Sequence, residues 1–150
     1  MSDAKQLESY KKIFVSLDGS PAQDKVFKRA INMAGSCGAE LYIGHVIDST
    51  ALETTGAYPV EIIPSLRDAF MESVEDLVEE AKQNPAIAKV EVVVKTGRIR
   101  ETMMEEMIEI IEPDLIVCGA RGLSSIKYAL LGSISTFLLR NAPCDILVVK

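Results

Sequence analysis

Apolar positions along this chain follow two alternating rhythms. Residues 13–17, 41–47, 90–94, 114–118 and 146–149 are apolar at nearly every position and rich in Val and Ile, which predicts short buried strands. Between them the apolar residues recur with helical spacing. Val26, Phe27, Ala30, Ile31 and Ala34 make one face of a first helix that Gly35 and Gly38 close. Ser20-Pro21-Ala22-Gln23 ahead of it has the form of a capping box with proline at the first helical position. Leu66, Ala69, Phe70, Val74, Leu77, Val78 and Ala81 form a second stripe, which Pro85 ends. Ile99, Met103, Met107, Ile110 and Ile111 form a third, stopped by Pro113. A last helix opens at Gly132-Ser133, buries Ile134, Phe137 and Leu138, and stops at Asn141-Ala142-Pro143. Residues 48–63 show no period, and the pattern leaves open whether they cover a crevice or lack order.

Strands separated by helices imply βαβ units and a mostly parallel sheet covered on both faces, a three-layer α/β/α architecture. Strands apolar on both sides fit that burial. In such sheets ligands bind beyond the carboxyl ends of strands, where the strand order reverses. Two loops carry suitable chemistry there, Asp18-Gly19-Ser20 after the first strand and Gly119 to Gly122 after the fourth. Whether those two strands are neighbours is not decided by the pattern.

The second loop opens the richest segment, Gly119-x2-Gly122-x9-Gly132-Ser133. It includes Arg121 and Lys127, with Arg140 beyond, and no carboxylate lies between Leu115 and Cys144 in a chain of net charge −6. A strand releasing into glycines and then a helix start presents bare N–H groups to an anion, so the segment reads as a phosphate cradle. Glycine permits close approach and positive φ, and the amides of Ser133 and Ile134 are first-turn orphans reinforced by the helix dipole. Charge-assisted hydrogen bonds of about 1.5–3 kcal/mol each, four or five together, reach roughly micromolar affinity. Turn-forming glycines alone would not explain the clustering with Ser133 and the missing acids. Asp18 can hydrogen-bond a ribose hydroxyl or an adenine amine, or cap the helix beside Ser20, and both readings stay open. Arg121 and Lys127 either face phosphate or are solvated. His45, on an apolar strand, reads as a packed or backbone-bonded histidine. Glu101, Glu105, Glu106 and Glu109 read as a wet helix face, and Met103, Met104 and Met107 as core and flank.

Composition narrows the classes. Hydrophobic content of 48% and 25% charged residues is ordinary for a globular chain, and 150 residues are expected to form one domain (1–150) with residues 1–11 as a flexible N-terminal extension. No apolar run approaches the roughly 20 residues of a membrane span, and the polar start has no signal-peptide core. The expectation is a cytoplasmic protein without membrane contact. The acidic balance argues against nucleic acid as a partner. Cys37, Cys118 and Cys144 lack metal or redox spacing and are expected to be reduced thiols, and no metal site made by protein side chains is expected.

Asp18-Gly19-Ser20, the strand running into Asp48, the paired glycine spacing and Asn141-Ala142-Pro143-Cys144 together resemble the universal stress protein family, over residues 12–150. The resemblance implies a five-stranded parallel sheet of order 3-2-1-4-5, Rossmann-like and akin to adenine nucleotide alpha hydrolases. It also implies the ATP-binding branch, with ATP or another adenine nucleotide as ligand, with or without Mg2+ or Mn2+. By position, Asp18 would contact the nucleoside and the Val46 backbone the adenine edge. Gly119, Arg121 and Gly122 would line ribose and phosphates, and Gly132, Ser133, Ile134 and Ser135 would bind phosphates through N–H and hydroxyl groups. A homodimer through the C-terminal strand, 145–150, is implied as well, and an apolar edge strand invites such pairing. Ala120, Asn141 and Asp145 depart from the more usual Ser, His and Pro without touching a cradle glycine.

The expected function is a stress-response or signalling module that holds ATP as a ligand. No P-loop is present and Asp18 is the one carboxylate expected near the cradle, which is thin for phosphoryl transfer. A slow metal-dependent ATPase and a nucleotide-free dimeric interaction protein are the alternatives.

Overall fold

The computed structural model describes residues 9–50, 62–120 and 131–150. Strands β1 (Lys12–Ser16), β2 (Glu40–Asp48), β3 (Lys89–Gly97), β4 (Leu115–Gly119) and β5 (Asp145–Val149) form one parallel sheet of order β3-β2-β1-β4-β5. Every pairing is parallel, with Val15 opposite Ile43 on one side and Val117 on the other. The expected order is therefore observed, and β1 and β4 are neighbours.

Each strand alternates its side chains between two cores. Ile13, Val15, Ile43 and Val117 pack under helices α1 (Gln23–Cys37) and α2 (Ile62–Gln83), where Phe27, Ala30, Val74 and Ala81 complete the contact. Phe14, Tyr42, Val46, Ile116 and Cys118 face the opposite layer. That layer holds α3 (Ile99–Met103, Met104–Ile108 and Glu109–Ile111) and α4 (Ser133–Asn141), with Met103, Met107, Ile108 and Leu138 as their inward residues. Burying each large side chain contributes about 1.5–3 kcal/mol, which is why strands apolar on both faces settle in the middle layer.

Helix α1 ends at Gly38 as expected, while Gly35 lies inside it. Gly38 takes the left-handed conformation (φ 65°) and its N–H returns to the Ala34 carbonyl. Its start differs from the expected capping box. Regular helix begins at Gln23, and Gln23 reaches back to the N–H of Gly19, not of Ser20.

Helix α3 departs from the expected stripe. It runs as Ile99–Met103, then a π-helical turn Met104–Ile108, then Glu109–Ile111. The wider turn takes up an extra residue and rotates everything after it. Ile110, expected inward, is 71% exposed, while Ile108 is buried. Glu101, Glu105, Glu106 and Glu109 are exposed as expected. In α2 the inward line also shifts at its start. Leu66 and Ala69 are exposed, and Arg67, exposed as well, donates from Nη1 to the Val94 carbonyl (3.2 Å) of β3.

At the amino ends of the strands Asp114 ties down the chain entering β1. Its Oδ2 accepts from the Lys11 N–H (2.8 Å) and its Oδ1 from the Lys12 N–H (2.9 Å). The Tyr10 hydroxyl donates to Asp145 Oδ2 (2.7 Å). Tyr10 and Lys11 are thus anchored, contrary to the extension expected over 1–11, whose residues 1–8 lie outside the described residues. Cys118 is buried and Cys144 half-buried, and burial pushes both thiols up to about 11, so they stay protonated near neutrality.

Candidate functional site

The carboxyl ends of β1 and β4 lie side by side, and the chain turns to β2 on one side of them and to β5 on the other. This is the switch point at which an open parallel sheet leaves a crevice.

The β1 wall is the turn Leu17–Ser20. Leu17 donates its N–H to the Gly44 carbonyl (2.9 Å), the last backbone bond between β1 and β2. Gly19 takes φ 78°, a conformation that side chains rarely adopt. Asp18 Oδ1 accepts from the Ser20 N–H (2.9 Å), an Asx turn. That bond closes the turn and does not cap α1, which begins at Gln23 with no side-chain cap bond, so the capping reading of Asp18 is not borne out; Oδ2 has no hydrogen bond among the described residues. Gly19 N–H donates to Gln23 Oε1 (3.0 Å), and Gln23 Nε2 donates to Ser73 Oγ (3.0 Å) on α2.

The next rung of the β1–β2 ladder would join the Val46 N–H to the Leu17 carbonyl. That carbonyl instead accepts from His45 Nδ1 (2.9 Å), whose ring stacks on Phe70 with centroids 4.0 Å apart and planes 4° from parallel. Residues alternate direction along a parallel strand. Gly44 faces β1, so Val46, two residues on, also turns its N–H and C=O toward β1, beyond the point where β1 has ended. The Val46 side chain is buried in the second core. His45 is packed and backbone-bonded as expected. Burial lowers its pKa below the usual 6.5, against the smaller raising effects of the Leu17 carbonyl and the Asp18 charge.

The β4 wall closes on α4. Ala120 donates its N–H to the Val149 carbonyl (2.8 Å), and its own carbonyl accepts from the Gly132 N–H and from Ser135 Oγ (3.3 Å). Thr136 bonds back to the Gly132 carbonyl through both N–H and hydroxyl. The N–H groups of Ser133, Ile134 and Ser135 are left as first-turn donors, and Ser133 is exposed. Ser135 is 2% exposed and its hydroxyl is spent on carbonyls of Ala120 and Gly132, so what it can offer a ligand is its amide.

Two expectations change. Gly132 has φ −73°, and positive φ among the described glycines is confined to Gly19 and Gly38, so close approach and not backbone conformation is the case for glycine at 132. Arg140 stands in the last turn of α4, about 10 Å along the axis from Ser133, and does not join the cradle. A second carboxylate ends the neighbouring strand β2. Asp48 closes β2, and its Oδ1 accepts from the Thr50 N–H (3.0 Å). Arg121, Gly122 and Lys127 lie outside the described residues. Among the described residues no cluster of three or more His, Cys, Asp or Glu side chains is placed to hold a metal ion.

Gln23 and Ser73 were not expected near the site. The capping-box spacing flagged Gln23, but nothing local marks Ser73.

Residues 9–150 match the sequence profile of the Universal stress protein family. The chain belongs to that family. Relatives carrying the universal stress protein name include one from Staphylococcus haemolyticus, 29% identical, covering 95% of this chain and 86% of its own. Another, from Staphylococcus aureus strain USA300, is 30% identical with coverage of 95% and 85%. Among solved structures, UspA from Lactobacillus plantarum superposes with a TM-score of 0.81 at 23% identity, over 95% of this chain and 99% of that one. Protein MJ0577 gives 0.80 at 24% identity, over 94% and 96%. A universal stress protein solved in complex with cAMP gives 0.61 at 22% identity, over 95% and 98%. At those identities the likeness is one of fold. No helix among the described residues is long and apolar enough to cross a membrane.

Proposed function

We propose that this universal stress protein binds an adenine nucleotide, ATP foremost, in the crevice between β1 and β4, and serves as a cytoplasmic stress-response or signalling module. One observation carries the reading. On the carboxyl side of the sheet three kinds of group have no hydrogen bond among the described residues: Asp18 Oδ2, the main-chain edge of Val46 turned past the end of β1, and the first-turn amides of α4. An adenine edge needs a paired donor and acceptor such as one residue's backbone supplies. A ribose needs a carboxylate, and a polyphosphate needs N–H groups at a helix start. Gly119, Gly122 and Gly132 would let the main chain approach, with Arg121 beside the phosphates, and Ser133, Ile134 and Ser135 would hold them. A Mg2+ or Mn2+ ion would ride on the phosphates. The universal stress protein in complex with cAMP supports an adenine-containing ligand for this fold. We also propose that two copies pair through β5, the sheet edge next to β4.

Calorimetric titration with ATP and Mg2+ tests the reading, with AMP and cAMP as competitors. Wild-type protein is expected to bind at roughly micromolar Kd. Gly132→Val is expected to abolish binding while still melting cooperatively, because φ −73° and ψ 170° are open to valine. Titration heats unchanged in that variant would overturn the cradle, and a wild-type chain that binds no adenine nucleotide would overturn the proposal.

A further inference from the structure

The Asp18 turn is held from outside the crevice by a chain of hydrogen bonds with one possible polarity. The Ser73 hydroxyl donates its single proton to the Phe70 carbonyl (2.6 Å). Toward Gln23 it can therefore act only as acceptor, which forces the Gln23 side chain to present its NH2 group to Ser73 (3.0 Å). The other end of that amide, Oε1, then necessarily faces Gly19 and accepts its N–H (3.0 Å). A flipped amide would set NH2 against N–H and lose both bonds. Gln23 is 6% exposed, so no solvent repairs the loss. The Phe70 ring approaches the same turn by a second route, stacking on His45, whose Nδ1 donates to the Leu17 carbonyl. Leu17 and Gly19 flank Asp18, and both are fixed through α2.

We infer that Gln23 and Ser73 are positioning residues for nucleotide binding: by orienting the Gly19 amide they set the direction in which Asp18 presents Oδ2, so that a residue of α2 outside the crevice controls affinity within it. This inference rests on the nucleotide reading above and assigns no contact between Gln23 or Ser73 and the ligand. The two oxygens of Asp18 divide the work. Oδ1 is tied to Ser20 N–H inside the turn, and Oδ2 points where the turn points. With Gly19 at φ 78°, a change at its amide swings the Asp18 peptide as a unit.

Ser73→Ala isolates the effect. Ser73 is exposed in mid-helix, where alanine favours the helix, and this offsets part of the cost of leaving the Gln23 NH2 group without its acceptor, so thermal stability is expected to fall only slightly with cooperative melting kept. Loss of the Gln23–Ser73 bond leaves the Gln23 amide held at one end and is expected to weaken ATP binding about 3- to 10-fold, the worth of one hydrogen bond. Ser73→Thr keeps the hydroxyl and is expected to bind like wild type. In an Asp18→Ala background Ser73→Ala should cost nothing further, because the carboxylate it orients is gone. Equal affinity in Ser73→Ala and wild type, or an undiminished effect in the Asp18→Ala background, overturns the positioning role and leaves the nucleotide reading intact. A wild-type chain that does not bind overturns both.

Discussion

Replacing Gly44 by alanine puts a methyl group where β1 and β2 leave no room. A Cβ at Gly44 collides with Cζ and Cε1 of Phe14 and comes within 3.1 Å of Met107 Sδ. Carbon contacts are comfortable at about 3.5–4.0 Å. Phe14 and Met107 are both 0% exposed, so neither can retreat without surrendering its burial. Two limits bracket the cost. Local repacking around an added methyl costs about 1–3 kcal/mol, and expelling the Phe14 ring costs about 3–5 kcal/mol, as truncating it would. Alanine recovers about 0.4–1 kcal/mol by restricting the unfolded chain. The net loss is about 2–4 kcal/mol, and at about 2–4 °C per kcal/mol for a chain of this length Tm falls by about 5–15 °C. The damage reaches the site, because the Gly44 carbonyl accepts the Leu17 N–H that starts the Asp18 turn (2.9 Å). Calorimetry with urea titration measures the loss. Phe14→Leu in the same chain removes the colliding ring carbons and is expected to restore part of it. A Gly44→Ala chain melting within about 1 °C of wild type, or one that Phe14→Leu destabilises further, would refute the packing assigned to this level of the sheet.

Two further outcomes follow from the same geometry. His45 is the chain's one histidine, so its ring protons can be followed alone by NMR. Its folded pKa is lowered, so the unfolded chain binds the extra proton first: stability is full above the usual 6.5 and declines as pH falls from there toward the depressed value. A midpoint at or above 6.5 would contradict the desolvated stack on Phe70. For the β5 pairing, sedimentation is expected to give twice the 16.4 kDa chain mass. Val149 faces β4 through its carbonyl, so the neighbouring Val148 turns its N–H outward. Val148→Pro should shift the population toward monomer, and a wild-type species at 16.4 kDa rules the pairing out.

The central strands β1, β2 and β4 were legible because they are buried on both faces, which leaves an apolar run that no surface element imitates, while the edge strands β3 and β5 are less buried and showed through their Val and Ile content. Helical registers were less so. The stripe in α3 assumes one period throughout, and the π-helical turn Met104–Ile108 breaks it with no residue type to announce the change. Ile110 and Ile108 trade places as a result. In α2, Leu66 is exposed although it fits the stripe, and the neighbouring Arg67 bonds to the Val94 carbonyl of β3, a contact that a hydropathy pattern does not record.

The site divides along the same line. Its backbone half was written in glycines and a helix start, where residue type and local conformation are nearly one statement. Even there the reason changed, since Gly132 is extended and its missing side chain matters for access alone. The polar half depends on which atom donates and which accepts across long separations. Gln23 and Ser73 stand 50 positions apart, and the direction of their bond is decided by a third group, the Phe70 carbonyl. Gln23 was flagged by a local rule that assigned it to the wrong amide. Spacing carries information within one turn of helix or one loop. A directional hydrogen-bond chain joining β1, α1 and α2 exists only after the sheet has brought them together, so the control of Asp18 had to be read from the fold.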